Sequence, residues 1–170
     1  MVGKKLPLFI MALSGILSLP ISASGAGEFE RATLKGLPGV RVFVEDIQPD
    51  AKADGLRRED IQTEVELVLR SSGIKVLTEE EHLKTIGMPY LYVLVGTNKI
   101  KMEGSYYSYS FHLDLTQQVT LVRSRMRATA TTWSTELVGI VGARDFNRLQ
   151  QNAADLAKKF ANDFLAVNPR

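Results

Sequence analysis

The chain has 170 residues, of which 45% are apolar and 24% are charged, and its formal net charge is +2. This profile is typical of a globular protein and excludes collagen-like, low-complexity and intrinsically disordered chains. Lys4 and Lys5 lie in a segment that we expect to be removed, which leaves basic residues in balance with the 19 acidic ones. A neutral chain lacks the basic surface of a general nucleic-acid-binding protein.

Residues 1–26 have the pattern of a secretory signal peptide. Two lysines near the start are followed by an apolar run over 6–19, which Pro20 ends before a series of small residues. Cleavage after Ala23 and cleavage after Ala26 both fit this pattern. The apolar run is shorter than the ~20 residues of a membrane-spanning helix. We therefore expect no transmembrane segment once the signal is removed.

The chain contains no cysteine. This excludes disulfides, cysteine-ligated zinc, a thiol nucleophile and the lipidated cysteine of bacterial lipoproteins. The sequence therefore predicts an exported protein, soluble in the periplasm, with a single α/β domain at 27–170. A chain of this length can bury one core without covalent cross-links.

The first half of the mature chain has one clear strand and one clear helix. After a glycine-containing lead-in at 27–39, Val40–Ile47 alternates like a half-buried strand, and 48–55 has the composition of a polar loop. Leu56–Ser71 carries apolar residues at spacings of three and four, which predicts an amphipathic helix. Gly73 is placed to end that helix.

A short strand and a short helix are expected next. Ile74–Leu77 is apolar enough for a strand, and Thr78 with Glu81 has the spacing of a capping box. The helix that the box opens should end near Gly87. Three successive acids could also hold a cation, but the cap accounts for them without a ligand. We expect His82, which follows these acids, to be a solvated surface residue.

Three long strands and a final helix complete the predicted fold. The strands are Tyr90–Ile100, Ser105–Val122 and Met126–Val141, and the helix is Phe146–Val167. Short polar turns at 101–104 and 123–125 make the strands an antiparallel meander. The order β-α-β-(short α)-β-β-β-α predicts an α/β two-layer sandwich: a mixed sheet of about five strands with helices mainly on one face. The opening strand–helix–strand unit should be parallel.

Two parts of the sequence resemble known bacterial families. Val65–Leu77 resembles the amino-terminal domain of the translocation protein TolB, and its relatives among curli-secretion and penicillin-binding-protein-activator lipoproteins. Thr132–Ser134 and the ending Phe160–Pro169 resemble a family of uncharacterised secreted bacterial proteins. The chain departs from TolB by lacking a propeller and from the lipoproteins by lacking their cysteine. Both resemblances imply a non-enzymatic envelope protein that binds partners.

A possible site lies on the second and third strands of the meander. His112 and Asp114 share a face because they are two residues apart on one strand. If the hairpin is centred on Ser124, Glu136 lies opposite His112 and Ser134 opposite Asp114. His112, Asp114 and Glu136 could then be metal ligands, or they could form a cross-strand ion pair on a solvent-facing sheet. Because no metal-binding motif supports the first reading, we expect no metal.

The tyrosines divide between the two faces of the predicted sheet. Tyr107 and Tyr109 should lie in the core, whereas Tyr90 and Tyr92 fall on the face of His112. A face that mixes tyrosine with histidine, serine and threonine is suited to recognising a glycan or a protein. The alternative is that these rings simply cover the second side of the sheet.

Arg123, Arg125 and Arg127 alternate along the predicted end of the last hairpin. Alternation would place the three guanidinium groups on one side. Such a group could bind phosphate headgroups or an acidic partner surface. The alternative is that the charges protect the hairpin end against unwanted strand pairing.

The register centred on Ser124 also determines the position of the single tryptophan. It places Trp133 opposite Leu115 and on the face that meets the helices. We therefore predict a mostly buried indole whose N–H has a hydrogen-bond partner.

No catalytic motif is present in the sequence. There is no nucleophile elbow, no phosphate-binding loop and no dinucleotide fingerprint. We therefore predict no catalytic residues and no cofactor. The predicted function is an envelope protein that acts by binding or assembly, with another envelope protein or peptidoglycan as partner. The alternative is a periplasmic hydrolase that uses His112 with Asp114 or Glu136.

Overall fold

The computed structural model describes residues 27–102 and 104–169. The predicted signal peptide, and Glu103 of the predicted turn at 101–104, lie outside these residues. The strands are β1 (Arg41–Val44), β2 (Tyr90–Met102), β3 (Gly104–Thr120) and β4 (Arg127–Gly142). The helices are α1 (Glu28–Ala32), α2 (Pro49–Ala53), α3 (Arg58–Ser71), α4 (Glu79–Lys84) and α5 (Asn147–Val167), with a 3-10 turn at Ala143–Asp145.

The strands form one mixed sheet in the order β1-β2-β3-β4. β1 runs parallel to β2, with Val42 beside Leu91. β2, β3 and β4 form an antiparallel meander, as alternation along each of them predicts. The predicted α/β two-layer sandwich is confirmed, with four strands in place of about five.

The missing strand is Ile74–Leu77, which makes only an isolated parallel bridge between Val40 and Val76. Within it, the N–H of Leu77 donates to the carbonyl of Val40 over 2.9 Å. Thr78 caps α4 directly afterwards, so the chain leaves the sheet after this single bridge. The strand that pairs in parallel with β1 along its whole length is therefore β2.

Two segments that were expected to be irregular contain short helices. The lead-in at 27–39 includes α1, where the carboxylate of Glu30 accepts from the N–H of Gly27 over 2.9 Å. The polar loop at 48–55 includes α2, which begins with Pro49, a residue suited to the first helical position. Each helix has five residues, which is too short to show a helical period in the sequence.

The predicted helix signals of α3 and α4 are confirmed. Gly73 follows α3 with a φ of +73°, and the N–H of Ile74 donates to the carbonyl of Leu69 over 2.9 Å, which forms a Schellman motif. At α4, the hydroxyl of Thr78 accepts from the N–H of Glu81, and the carboxylate of Glu81 accepts from the N–H of Thr78.

The core lies between one face of the sheet and the pair α3 and α5. Leu149 and Phe160 of α5 are fully buried, as the apolar stripe of that helix predicts. Phe160 meets the ring of Trp133 edge-on, with 5.1 Å between the ring centroids. Among the residues that the structure describes, no helix has both the length and the apolar character needed to cross a membrane.

Candidate functional site

The sheet face opposite α3 and α5 brings most of the predicted site residues together. We call it the open face, and it comprises Arg41, Phe43, Tyr90, Tyr92, His112, Asp114, Ser134, Glu136, Val138 and Ile140. Its position follows from alternation, since the intervening residues of the same strands point into the core. One row across the sheet runs from Phe43 to Tyr92 and then to Asp114.

The register that builds this face is the one centred on Ser124. His112 pairs with Glu136, and Leu115 pairs with Trp133. A bulge between Leu115 and Thr116 then shifts the pairing toward the turn by one residue. Because of this bulge, the pairing at the site is centred on Ser124, whereas the pairing next to the turn is offset from it by one residue.

An aromatic pair joins β1 to β2 on the open face. The rings of Phe43 and Tyr92 stack with 5.9 Å between centroids and 13° between planes, and Phe43 is 40% exposed. The hydroxyl of Tyr92 donates to Glu45 over 2.7 Å. This bond, together with burial, raises the pKa of Tyr92 to about 12. Phe43 and Glu45 were not predicted as site residues, although alternation along 40–47 places both on the face opposite Val42 and Val44.

The three polar residues of the predicted site are neighbours. Nδ1 of His112 lies 3.5 Å from Oε2 of Glu136, an ion pair when the imidazole is protonated. Asp114 is half-buried, and this burial raises the pKa of its carboxyl, opposed by the charge of His112. Within the described ranges, no group of three acidic or histidine side chains has an arrangement that could hold a metal ion.

Tyr90 borders this site and contacts His82. The prediction that His82 is a solvated surface residue is wrong. The ring of His82 meets Tyr90 edge-on, with 5.8 Å between centroids, and His82 is only 8% exposed. Its Nδ1 lies 3.3 Å from the carbonyl oxygen of Pro89. Residues two apart on a helix point to nearly opposite sides, so Glu80 is exposed while His82 turns toward β2.

Tyr107 and Tyr109 lie on the helix side, as predicted, whereas the fifth tyrosine, Tyr106, is 44% exposed. Tyr107 is fully buried, and its hydroxyl donates to the carboxylate of Asp54 over 2.7 Å. The hydroxyl of Tyr109 accepts from the amide of Asn152 on α5 over 2.9 Å. Both rings therefore fasten the sheet to the helix layer and are not available on the open face.

The three arginines lie apart from the open-face cluster, around the turn between β3 and β4. All are exposed, but only Arg127 belongs to a strand. Arg125 adopts a left-handed backbone conformation with a φ of +58°. The prediction that strand alternation aligns Arg123, Arg125 and Arg127 is therefore wrong, because two of them form the turn itself.

None of four clefts on the described surface is lined by His112, Asp114 or Glu136. One of these clefts is lined in part by Arg41 and Phe43 of the open face, together with residues of α3. Exposed aromatic and charged groups of this kind are suited to contact with a large partner.

No protein-family model and no curated protein sequence matches the chain. Among solved structures, a minor lipoprotein from Acinetobacter baumannii is similar with a TM-score of 0.40 and 9% identity, over 79% of this chain and 95% of that one. A PelC dodecamer from Paraburkholderia phytofirmans is similar with a TM-score of 0.43 and 15% identity, over 84% of this chain and 95% of that one. At these TM-scores neither similarity identifies a function, and the resemblance to TolB stays a prediction.

Proposed function

We propose that this chain is an exported protein of the bacterial envelope that acts by binding another envelope component through the open face, without catalysis. The observation that supports this most directly is the exposed aromatic and apolar surface beside a polar cluster. Phe43 is 40% exposed, Val138 49% and Ile140 66%. Val138 and Ile140 are neighbours on one face of β4, and contiguous exposed apolar side chains mark an interaction surface.

The composition of the open face favours a protein over a polysaccharide as the partner. Protein interfaces combine apolar and aromatic side chains at their centre with polar groups at the rim. Here the Phe43–Tyr92 pair and the apolar end of β4 lie on either side of His112, Asp114 and Glu136. The alternative partner, peptidoglycan, would stack on the same aromatic pair.

Photo-crosslinking in living cells tests this proposal. A photo-reactive phenylalanine analogue is introduced at Phe43 on the open face, and separately at Leu67 on α3 as the control. Leu67 is an exposed apolar residue, at 58%, on the helix side of the molecule. We expect a discrete crosslinked protein from position 43 that is absent from position 67.

A pelleting assay with purified peptidoglycan covers the second partner. Loss of pelleting in Phe43→Ala, but not in Leu67→Ala, would identify peptidoglycan as the ligand of the open face. Equal crosslinking from both positions, or none from Phe43 together with no pelleting, would contradict a binding role for this face.

The proposed export has its own test, because the signal lies outside the described residues. The intact mass of the protein recovered from the envelope should match cleavage after Ala23 or after Ala26. A product that retains residues 1–26 would contradict removal of the signal.

A further inference from the structure

The turn between β3 and β4 carries exposed apolar side chains that the open face does not explain. Val122 is 85% exposed, Met126 64% and Leu121 48%. The turn is a defined structure, because the N–H of Leu121 donates to the carbonyl of Met126 over 2.8 Å. The N–H of Arg125 donates to the carbonyl of Leu121 over 2.8 Å. Its apolar groups are therefore presented outward from a fixed backbone.

A second exposed apolar segment lies beside this turn. Leu83 is 64% exposed and Ile86 is 96% exposed. The N–H of Gln118 on β3 donates to the carbonyl of Gly87 over 2.7 Å. This hydrogen bond fastens the segment to β3 close to the turn. One shallow cleft is lined from both sides, by Leu83 and Ile86 together with Arg127 among others. We call residues 83–87 and 121–127 together the hairpin end.

The charges of the hairpin end are positive. Arg123, Arg125 and Arg127 are exposed, and none of them forms an ion pair with an acidic residue of the described ranges. Lys84, by contrast, pairs with Glu80 one helical turn before it. The surface therefore combines five exposed apolar side chains with three arginines that have no carboxylate partner there.

We propose that the hairpin end docks on the surface of an anionic lipid bilayer. Apolar groups that project from a fixed turn can enter the boundary between headgroups and acyl chains. The arginines beside them would then lie at the level of the lipid phosphates, which guanidinium groups bind through paired hydrogen bonds. An acidic protein surface would also satisfy the arginines, but apolar side chains that project from a turn, such as Val122 and Met126, favour insertion into a bilayer over packing against a flat protein surface. This inference uses a different surface from the open face and does not rest on the proposed function.

Flotation with lipid vesicles tests the inference, using protein expressed from the full chain. We expect binding to vesicles of phosphatidylcholine with phosphatidylglycerol, weaker binding at high salt, and little binding to phosphatidylcholine alone. The triple variant Arg123→Gln, Arg125→Gln, Arg127→Gln should bind on the order of a hundredfold more weakly, because each cation near an anionic surface contributes about fivefold.

Two matched controls separate the docking surface from general charge and hydrophobicity. Substituting the exposed Arg57, Arg144 and Arg148 by glutamine removes the same charge outside the hairpin end and should leave binding within about threefold. Val122→Ser with Met126→Ser should weaken binding about tenfold or more. Val138→Ser with Ile140→Ser, on the open face, should not change it.

The proposal is overturned by either of two results. One is the absence of binding to anionic vesicles, which would leave an acidic protein as the partner of the arginines. The other is equal loss of binding in the hairpin-end triple variant and in the charge-matched control. Far-UV circular dichroism and the thermal midpoint of each variant show that the fold is intact, and exposed substitutions of this kind leave both unchanged.

Discussion

Nε1 of Trp133 on β4 donates a hydrogen bond to Oδ2 of Asp163 on α5 over 2.9 Å. The tryptophan is 1% exposed, and the side chain of Asp163 is 21% exposed. The indole is therefore buried between the sheet and the last helix with its one donor satisfied, as the hairpin register predicts. This contact links the end of the sequence to the strand that carries Glu136.

Removing the acceptor should destabilise the fold. Asp163→Ala leaves a buried N–H without a partner, and we expect the free energy of unfolding in urea to fall by about 1–3 kcal/mol. Asp163→Asn keeps an oxygen acceptor and should restore most of this loss. Asp155→Ala, on an exposed side of the same helix, is the control. Equal effects at 155 and 163 would contradict a specific role for the Trp133 hydrogen bond.

The packing of α5 on the sheet should depend strongly on Phe160. Its side chain is fully buried and contacts Trp133, so Phe160→Ala should lower the free energy of unfolding by about 3–5 kcal/mol. Leu67→Ala removes a leucine side chain that is 58% exposed and should cost far less. Thermal melts of both variants provide the comparison, and a Phe160→Ala midpoint close to that of the unmodified protein would show that α5 does not carry the core.

A glycine of β4 allows the ring of Tyr109 to lie against the strand. A Cβ atom at Gly139 would lie 2.7 Å from the hydroxyl oxygen of Tyr109 and 2.8 Å from its ring. Gly139→Ala should therefore displace this ring and cost about 1–3 kcal/mol. At Gly96 on β2, the added Cβ would lie 2.8 Å from the hydroxyl oxygen of Ser110, which can rotate away, and at ordinary contact distance from the carbonyl oxygen of that residue. Chemical denaturation should show Gly96→Ala to be the milder change; a Gly139→Ala variant of equal stability would be inconsistent with this contact.

The hydrogen bond between Tyr92 and Glu45 should be visible in a tyrosinate titration. The pKa of Tyr92 is raised from 10.0 to about 12, first by its bond to Glu45 and then by burial. Since the folded state holds the phenol proton more tightly, this bond stabilises the fold fully below pH 10 and is lost as the pH rises through 12. Glu45→Gln should lower the pKa of Tyr92, measured by ultraviolet absorbance.

Burial also raises the pKa of Tyr107. Variants are therefore needed to assign the late titration to Tyr92. Tyr92→Phe should remove one late-titrating group from the absorbance profile. Tyr106→Phe, which removes a 44% exposed ring, should leave that group in place. A profile that Glu45→Gln does not change would mean that the carboxylate does not hold the Tyr92 proton.

The sequence by itself determined the strands of the meander and the helices α3, α4 and α5. Alternation and a hairpin centred on Ser124 predicted that Trp133 lies opposite Leu115 and His112 opposite Glu136, and the structure confirms both pairs. The chain reaches this register through the bulge at Leu115 and Thr116, which the sequence did not predict. Helical spacing and capping residues likewise determined α3, α4 and α5, because these signals act within one or two turns.

Only the tertiary structure decided which distant segments meet. Glu45 reaches Tyr92 across 47 residues because β1 lies beside β2, and a parallel pairing of this kind has no signature in local periodicity. The same holds for His82, which is buried by the start of β2 although its sequence neighbours are acidic. The hairpin end forms because Gly87 packs against β3, which is a contact between segments far apart in the chain. Such contacts are decided by the global fold and not by what each segment favours alone.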